Sequence, residues 1–399
     1  MALTGLFNIL SLLYIFRSLQ LGATVWRERA TLRQDPLTRR KKQLAEQASF
    51  FLAVPVGVLL HEFGHALAVW GAGGTVVEFG YRAFWGYVVP QGQFTLGQYW
   101  LIGVAGTLGS LLFGLSVWLL LRGHSAPALR YFGLRAFRFQ VYFSLIYYPI
   151  FTLLGFEGDW AIIYDFQATP LLSSATAVSH AAILLLFWYG DRIGWFEAVS
   201  FETAVEQQRY AALAGAVTAS ADPQQQLALI DALRRGGAAN KAKTSLRQLL
   251  RVEPHNAAAH LQLAAVYSDG KAQIPRQARA SAQRALDLGL PHPRQTAFAH
   301  QLLGRYYLDV NRSAAAAEAF TEALTAVSSA ADPDPALHAH LHHLRSQAYR
   351  RQQQYERAAQ DIEQAIHQAQ LVGDETAVAH YRDEQALIAQ HAQRPLRGR

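Results

Sequence analysis

The sequence predicts an all-α chain. A bundle of about five transmembrane helices, with a small β-hairpin after the second, precedes a solenoid of helical repeats. Three observations carry this reading. Residues 1–200 hold nearly all the Trp and Phe, in apolar runs close to the roughly 20 residues a bilayer requires. Residues 205–399 are rich in Ala, Gln, Arg, His and Leu, with no apolar run long enough to span. Within that half, Tyr and Ala positions recur at intervals of about 36 to 42 residues, the period of a repeat architecture. The domains follow: an N-terminal anchor helix and basic loop (1–47), a membrane-embedded core (48–190), a linker (191–209) and a repeat domain (210–399).

The predicted spans are 4–26, 48–71, 99–121, 135–156 and 170–189. The first lacks a basic region before its apolar run, and its positive charges follow it, which marks an uncleaved anchor rather than a signal peptide. Loop 27–47 carries Arg27, Arg29, Arg33, Arg39, Arg40, Lys41 and Lys42, and loop 122–138 carries Arg122, Arg130, Arg135 and Arg138. Loops 72–98 and 157–169 share only Arg82. The positive-inside rule puts the two basic loops in the cytoplasm, the N-terminus outside and the repeat domain inside. The expectation is a multi-pass integral protein of the plasma membrane, in contact with the lipid bilayer. The net charge of +7 is absorbed by these loops, so no nucleic-acid partner is expected. With no cysteine in the chain, thiolate-bound zinc is excluded and any metal must take His, Asp or Glu.

Inside the second span stands His61-Glu62-Phe63-Gly64-His65. Residues four apart share a helix face, so His61 and His65 can offer ring nitrogens to one zinc ion. Glu62 beside them can take a proton from a metal-activated water. Ionisable groups in so apolar a run are functional candidates, because burying them without a partner is costly. A catalytic zinc site takes three protein ligands. Asp159, between Gly158 and Trp160 after the fourth span, is the expected third: the small glycine permits close helix approach, and the flanks are apolar. Glu157 and Asp165 are alternatives, and His124 and His180 are more distant ones.

These residues resemble the site-2 protease family, the intramembrane zinc metalloproteases. The likeness rests on the His61–His65 box in a membrane helix, the glycine-rich Gly103-Val104-Ala105-Gly106-Thr107-Leu108-Gly109-Ser110 in the next span, and the distal Asp159. The family's Gly-Pro-x-x-Asn signature is altered, with Thr107 for proline and Ser110 for asparagine. Its distal motif is altered too: Pro149 is present without its asparagine, and the order is Gly158-Asp159. The resemblance covers roughly residues 45–190. It implies a zinc cofactor held by His61, His65 and Asp159, with Glu62 as general base.

Between the second and third spans, Val76 to Tyr81 and Phe84 to Val89 read as short strands with glycine breaks. They form either a plain extracytoplasmic turn or the membrane-associated hairpin found in the family, whose open edge offers backbone partners to an extended substrate.

In the second half, Leu303-Gly304, Tyr307, Ala316, Phe320 and Ala323 fall at the positions of the tetratricopeptide pattern. Ala242, Leu246, Leu249 and Pro254 match half of an earlier unit. Leu263, Ala264, Tyr267, Ala278, Ala285 and Pro291 give another, with extra residues before its second helix, and Tyr349, Ala358, Ile362 and Ala365 a further one. The pattern resembles a tetratricopeptide array over about 210–390, whose groove would take a peptide or protein ligand. His338, His340, His342 and His343 read as a solvated helix face with no acid nearby.

The function expected from these residues is that of a zinc endopeptidase. It would hydrolyse a peptide bond in or near a substrate protein's transmembrane segment, with the repeats recruiting substrate or a regulator. The alternatives are an inactive membrane-tethered scaffold working through its repeats, and a membrane zinc peptidase of another family with Glu as third ligand.

Overall fold

The structure is a computed structural model that describes residues 2–155, 158–220, 222–332 and 334–393. The chain divides into two compact units, Met1–Gly215 with Arg235–Asn240, and Ala216–Arg234 with Lys241–Arg399.

The first unit opens with α1 (Ala2–Arg27), α2 (Arg29–Leu32), α3 (Arg39–Phe51) and α4 (Ala53–Gly71). A two-stranded sheet, β1 (Thr75–Tyr81) and β2 (Gly86–Gln91), leads into α5 (Leu96–Leu121). Then come α6 (Pro127–Tyr142), a π turn (Phe143–Tyr147), α7 (Tyr148–Leu153), α8 (Asp159–Ile163) and α9 (Pro170–Ile193). Thr38 caps α3 through its side chain, and Thr95 with Gln98 forms a reciprocal capping box on α5, satisfying amides that the first helical turn leaves free. Gly194, at φ 83°, closes α9 in the left-handed conformation that glycine adopts without strain.

Four stretches of described residues are long and apolar enough to cross a membrane: Ile9–Arg27, Arg39–Gly71, Leu96–Leu121 and Pro170–Ile193. Their large side chains face outward, among them Leu112 and Leu120 on α5 and Leu171 and Val178 on α9. Apart from Ile102, what α5 buries is small: Gly103, Gly106, Thr107, Ser110 and Gly114. Small residues inside and large ones outside are the reverse of a water-soluble helix, and suit helices solvated by lipid.

The expected unbroken span over 135–156 is corrected, and its last residue lies outside the described residues. The helix there runs in three pieces, because the π turn interrupts the α ladder and Pro149 has no N–H to continue it. The basic loop expected over 122–138 is helical from Pro127 onward. Two of its arginines are paired with acids: Arg138 makes two hydrogen bonds to Asp191 of α9, at 2.9 and 3.0 Å, and Arg135 pairs with Glu46 of α3. These pairs tie α6 to a helix on either side.

Both expected strands are present. They pair antiparallel, with Phe79 opposite Val88 and Gly80 opposite Tyr87, and an irregularity between Val76 and Glu78. Near the hairpin's tip Tyr81 donates to the Pro55 carbonyl at 2.9 Å, and the Phe84 ring lies 5.4 Å from Tyr14 and 5.7 Å from Phe143. The tip therefore packs on α1, α4 and the π turn. The segment 191–209, expected as a linker, includes Phe196, buried against Phe187 of α9, and the start of α10 (Ala204–Ala219).

The second unit, Arg235–Asn240 aside, is a run of helices: α11 (Pro223–Arg235), α12 (Ala239–Val252), α13 (Ala257–Ser268), α14 (Arg276–Asp287), α15 (Pro293–Asp309), α16 (Ser313–Ser328), α17 (Pro335–Arg351), α18 (Tyr355–Leu371) and α19 (Glu375–Ala392). The repeat positions read from the sequence are its core. Ala242, Leu246, Ala264, Ala278, Ala285, Ala316, Phe320, Ala323, Ala358, Ile362 and Ala365 are fully buried. Alanine at these places lets neighbouring helices approach, and one aromatic or aliphatic side chain per unit fills the gap. Gly304 shows the fit most sharply, since a Cβ there would run into the Phe320 ring. The extra residues before α14 are not idle: Ile274 is buried, and its amide donates to Asp309 at 2.7 Å.

The histidine face is corrected. His343 is buried, with its ring 5.1 Å from His380 and 4.8 Å from Tyr381. An acid is also at hand: Asp361 of α18 lies 2.8 Å from His342 Nδ1 and takes two hydrogen bonds from Arg345. Sequence proximity could not supply it, because α18 brings it from 19 residues away. Burial works against the Asp361 carboxylate, but the bonds from Arg345 and His342 prevail and hold its pKa below the usual carboxylate value.

This packing makes two predictions. Replacing Gly304 by Val should lower the stability of the repeat helices by about 1–3 kcal/mol through overpacking, read as faster amide exchange in α15 and α16 of the full-length protein. Burial, with repulsion from His380, His340 and Arg350, pushes the His343 pKa from 6.5 down to about 4. The unfolded chain then takes the proton first. The stabilising contribution is complete above about pH 6.5 and is lost as pH falls towards about 4. Exchange protection in α17 and α19 should fall across that window, and the fall should flatten in His343→Gln.

Candidate metal centre

The centre is built on the approach of α4 to α5. A Cβ on Gly64 would overlap the Ala105 carbonyl, and one on Gly109 would overlap the Leu60 carbonyl. The two helices therefore meet backbone to backbone along one seam. Ser110 Oγ, donating to the Gly57 carbonyl at 3.1 Å, fixes their register. In that register Gly106 faces the histidine pair, and a side chain there would overlap the Nε2 atoms of both His61 and His65. The glycine leaves the space into which both rings point.

His61, Glu62 and His65 are all buried. Asp159 begins α8, and its Oδ2 lies 2.9 Å from His61 Nε2 and 3.0 Å from His65 Nε2. One ligand atom from each of the three residues falls within 4.8 Å of the others. Bonds of about 2.0–2.2 Å from one ion can bridge such a set. The hydrogen bonds argue for a cation as well. His65 Nδ1 is 2.6 Å from the Ile102 carbonyl, which accepts only, so Nδ1 carries the proton. A neutral His65 then turns its Nε2 lone pair towards a carboxylate oxygen. Two acceptors facing each other need a proton or a metal ion, and the bond from Nδ1 to a backbone carbonyl is the support that metal-ligating histidines commonly have. Glu62 lies under the hairpin: a Cβ on Gly86 of β2 would come within 2.8 Å of its Oε1.

The structure thus brings together His61, His65 and Asp159, with Glu62 adjacent on α4. It does not bring Asp165, His180 or His124 there. Asp165 Oδ1 accepts from the amides of Gln167 and Ala168, capping a turn. His180 lies between the Tyr164 hydroxyl, 2.5 Å away, and the Leu145 carbonyl, 2.6 Å away, while His124 accepts from the Ala126 amide at 3.0 Å. Glu157 lies outside the described residues. Sequence reasoning missed Tyr148, whose hydroxyl is 2.9 Å from Asp159 Oδ2 and whose ring stands 5.4 Å from that of His61. An aromatic beside Pro149 carried no signal of that role. Gly106 was noticed as part of a motif, but its place opposite the histidines was not evident.

Comparison with known proteins bears on the other unit. A tetratricopeptide repeat model matches residues 339–367, which lie within α17 and α18, so this segment is a tetratricopeptide repeat. No curated protein matches the chain. Among solved structures, the MamA protein is similar at 20% identity over 42% of this chain and 87% of its own, with a TM-score of 0.30. A thermophilic tetratricopeptide protein of Thermus thermophilus is similar at 16% identity over 46% of this chain and 91% of its own, with a TM-score of 0.34. YrrB, described as a tetratricopeptide protein with an unusual peptide-binding site, is similar at 16% identity over 43% of this chain and 98% of its own, with a TM-score of 0.26.

The seam predicts a sharp positional contrast. Gly109→Ala should destabilise the first unit by about 1–3 kcal/mol, because the atom in the way belongs to the backbone of α4. Gly97→Ala, on the same helix but 3.9 Å from the nearest side-chain atom, should change stability little. Thermal unfolding of the two variants in detergent checks this.

Proposed function

We propose that this protein is a zinc-dependent intramembrane endopeptidase that cuts a peptide bond in or near the transmembrane segment of a substrate protein. The observation that carries the reading is the convergence of His61 Nε2, His65 Nε2 and Asp159 Oδ2, from helices 94 and 98 residues apart in sequence. The donor set suits zinc, being two imidazoles and one carboxylate, and Gly106 keeps the space between them clear. Zinc, when bound, supplies Lewis-acid polarisation and a water more acidic than bulk water.

The chain's own residues would do the rest. His61, His65 and Asp159 would hold the ion, with His65 oriented by the Ile102 carbonyl. Glu62 would take the proton from the attacking water and return it to the leaving amine at the same carboxylate. Packing around Glu62 would keep bulk water away. The apolar outer faces of α1, α4, α5 and α9 support placing this centre within a bilayer, and Arg138 of α6, paired with Asp191 near the end of α9, suits its cytoplasmic side. The protein would then be a multi-pass membrane protein with its repeats in the cytoplasm. Tetratricopeptide repeats bind peptides or proteins, and this array would recruit substrate or a regulator.

One observation favours a second reading. The family match falls in the repeats, residues 339–367, and repeats of this kind suit a membrane-tethered scaffold. Zinc content and cleavage of a single-span substrate by the purified protein separate the two. Wild type and Glu62→Gln should both hold zinc, and the variant should lose activity by at least about 100-fold. Asp159→Ala should lose the metal. A wild-type protein without zinc would leave the scaffold standing.

A further inference from the structure

Resting on the metal reading above, we infer that Tyr148 is the positioning residue that makes Asp159 a ligand. Asp159 is poorly anchored by its own element. It is the first residue of the five-residue α8, and Gly158 before it has no side chain with which to cap the helix. The Tyr148 hydroxyl supplies the cap from α7, accepting a hydrogen bond from the Asp159 amide at 3.2 Å. The same hydroxyl donates to Asp159 Oδ2 at 2.9 Å. One oxygen therefore ties down both the backbone and the carboxylate of the same residue.

The atom it holds is the one that matters. Oδ2 is the oxygen that lies 2.9 and 3.0 Å from the two histidine nitrogens. The tyrosine donor fixes which carboxylate oxygen faces the metal position and in what direction, as a support outside the ligand set does in metal centres generally.

Three features keep the hydroxyl there. The Tyr148 ring stands edge-on to His61, so it cannot swing without displacing a ligand. Gly158 clears its path, since a Cβ there would lie 3.0 Å from the Tyr148 oxygen and 3.0 Å from Thr152 Oγ1. The π turn Phe143–Tyr147 immediately precedes it. One extra residue in a turn rotates the side chains that follow by about 100° relative to an unbroken α-helix, and that rotation turns Tyr148 towards α8.

Tyr148→Phe keeps the ring and removes the hydroxyl. Measured on the full-length protein in detergent by competition with a chelator, its zinc dissociation constant should rise about 10- to 100-fold. Loaded with cobalt instead, the variant should show visible absorption bands displaced from those of wild type, a signature of altered coordination that a loss of stability alone does not produce. Tyr164→Phe, which removes a hydroxyl bonded to His180 in the same unit, is the control and should change neither readout. Equal zinc affinity and equal cobalt spectra in wild type and Tyr148→Phe would overturn the inference and leave the metal centre intact. The same loss in Tyr164→Phe would overturn it as a general packing effect. A wild type that binds neither metal would overturn the centre, and the inference with it.

Discussion

Everything in the first unit depends on how closely α4 and α5 approach. Gly64 lies against the Ala105 carbonyl and Gly109 against the Leu60 carbonyl, and no side chain fits between them. Small residues are what allow two helix backbones to meet this closely through packing and hydrogen bonding. The closeness has a chemical result. It puts Gly106 opposite His61 and His65 and the Ile102 carbonyl within 2.6 Å of His65, so a packing seam also orients two imidazoles.

A third group has to reach that pair from elsewhere, and the fold delivers it on an irregular segment. The chain from Phe143 to Ile163 runs through a π turn, a proline-bearing helix and a short helix that begins with Asp159. Regular helices would hold their residues by their own hydrogen-bond ladders. This segment relies on side chains, with Tyr148 holding Asp159 on one side and Trp160 and Ile163 buried against Val141, Leu145 and Phe187 on the other. Irregular backbone that is buried requires partners for its polar groups, and the hydroxyl of Tyr148 is one of them.

The repeat unit is made by a different logic. Its helices meet through alanine, and its clusters run from one helix to the next without a single centre. Within it, the buried Asp361 carboxylate is the shared partner of the half-buried Arg345 and His342. Removing Arg345 would leave the Asp361 charge uncompensated, so this pair constrains how α17 and α18 pack together.

The sequence by itself determined the elements. Apolar length marked α1, α4, α5 and α9, short runs with glycine breaks marked β1 and β2, and recurring Ala, Leu and Tyr positions marked helices between α12 and α18, because these depend on residue patterns along the chain. It also determined the histidine pair, since helical spacing alone puts His61 and His65 on one face. Only the tertiary structure decided that Asp159, rather than Asp165, meets them; that Tyr148 holds it; and that Asp361 reaches His342. Those facts join residues far apart in the chain or separated by an irregular turn, and no local periodicity encodes a distance between them. The broken helix before Asp159 was illegible for the same reason: one residue of π winding leaves the composition unchanged and moves every side chain after it.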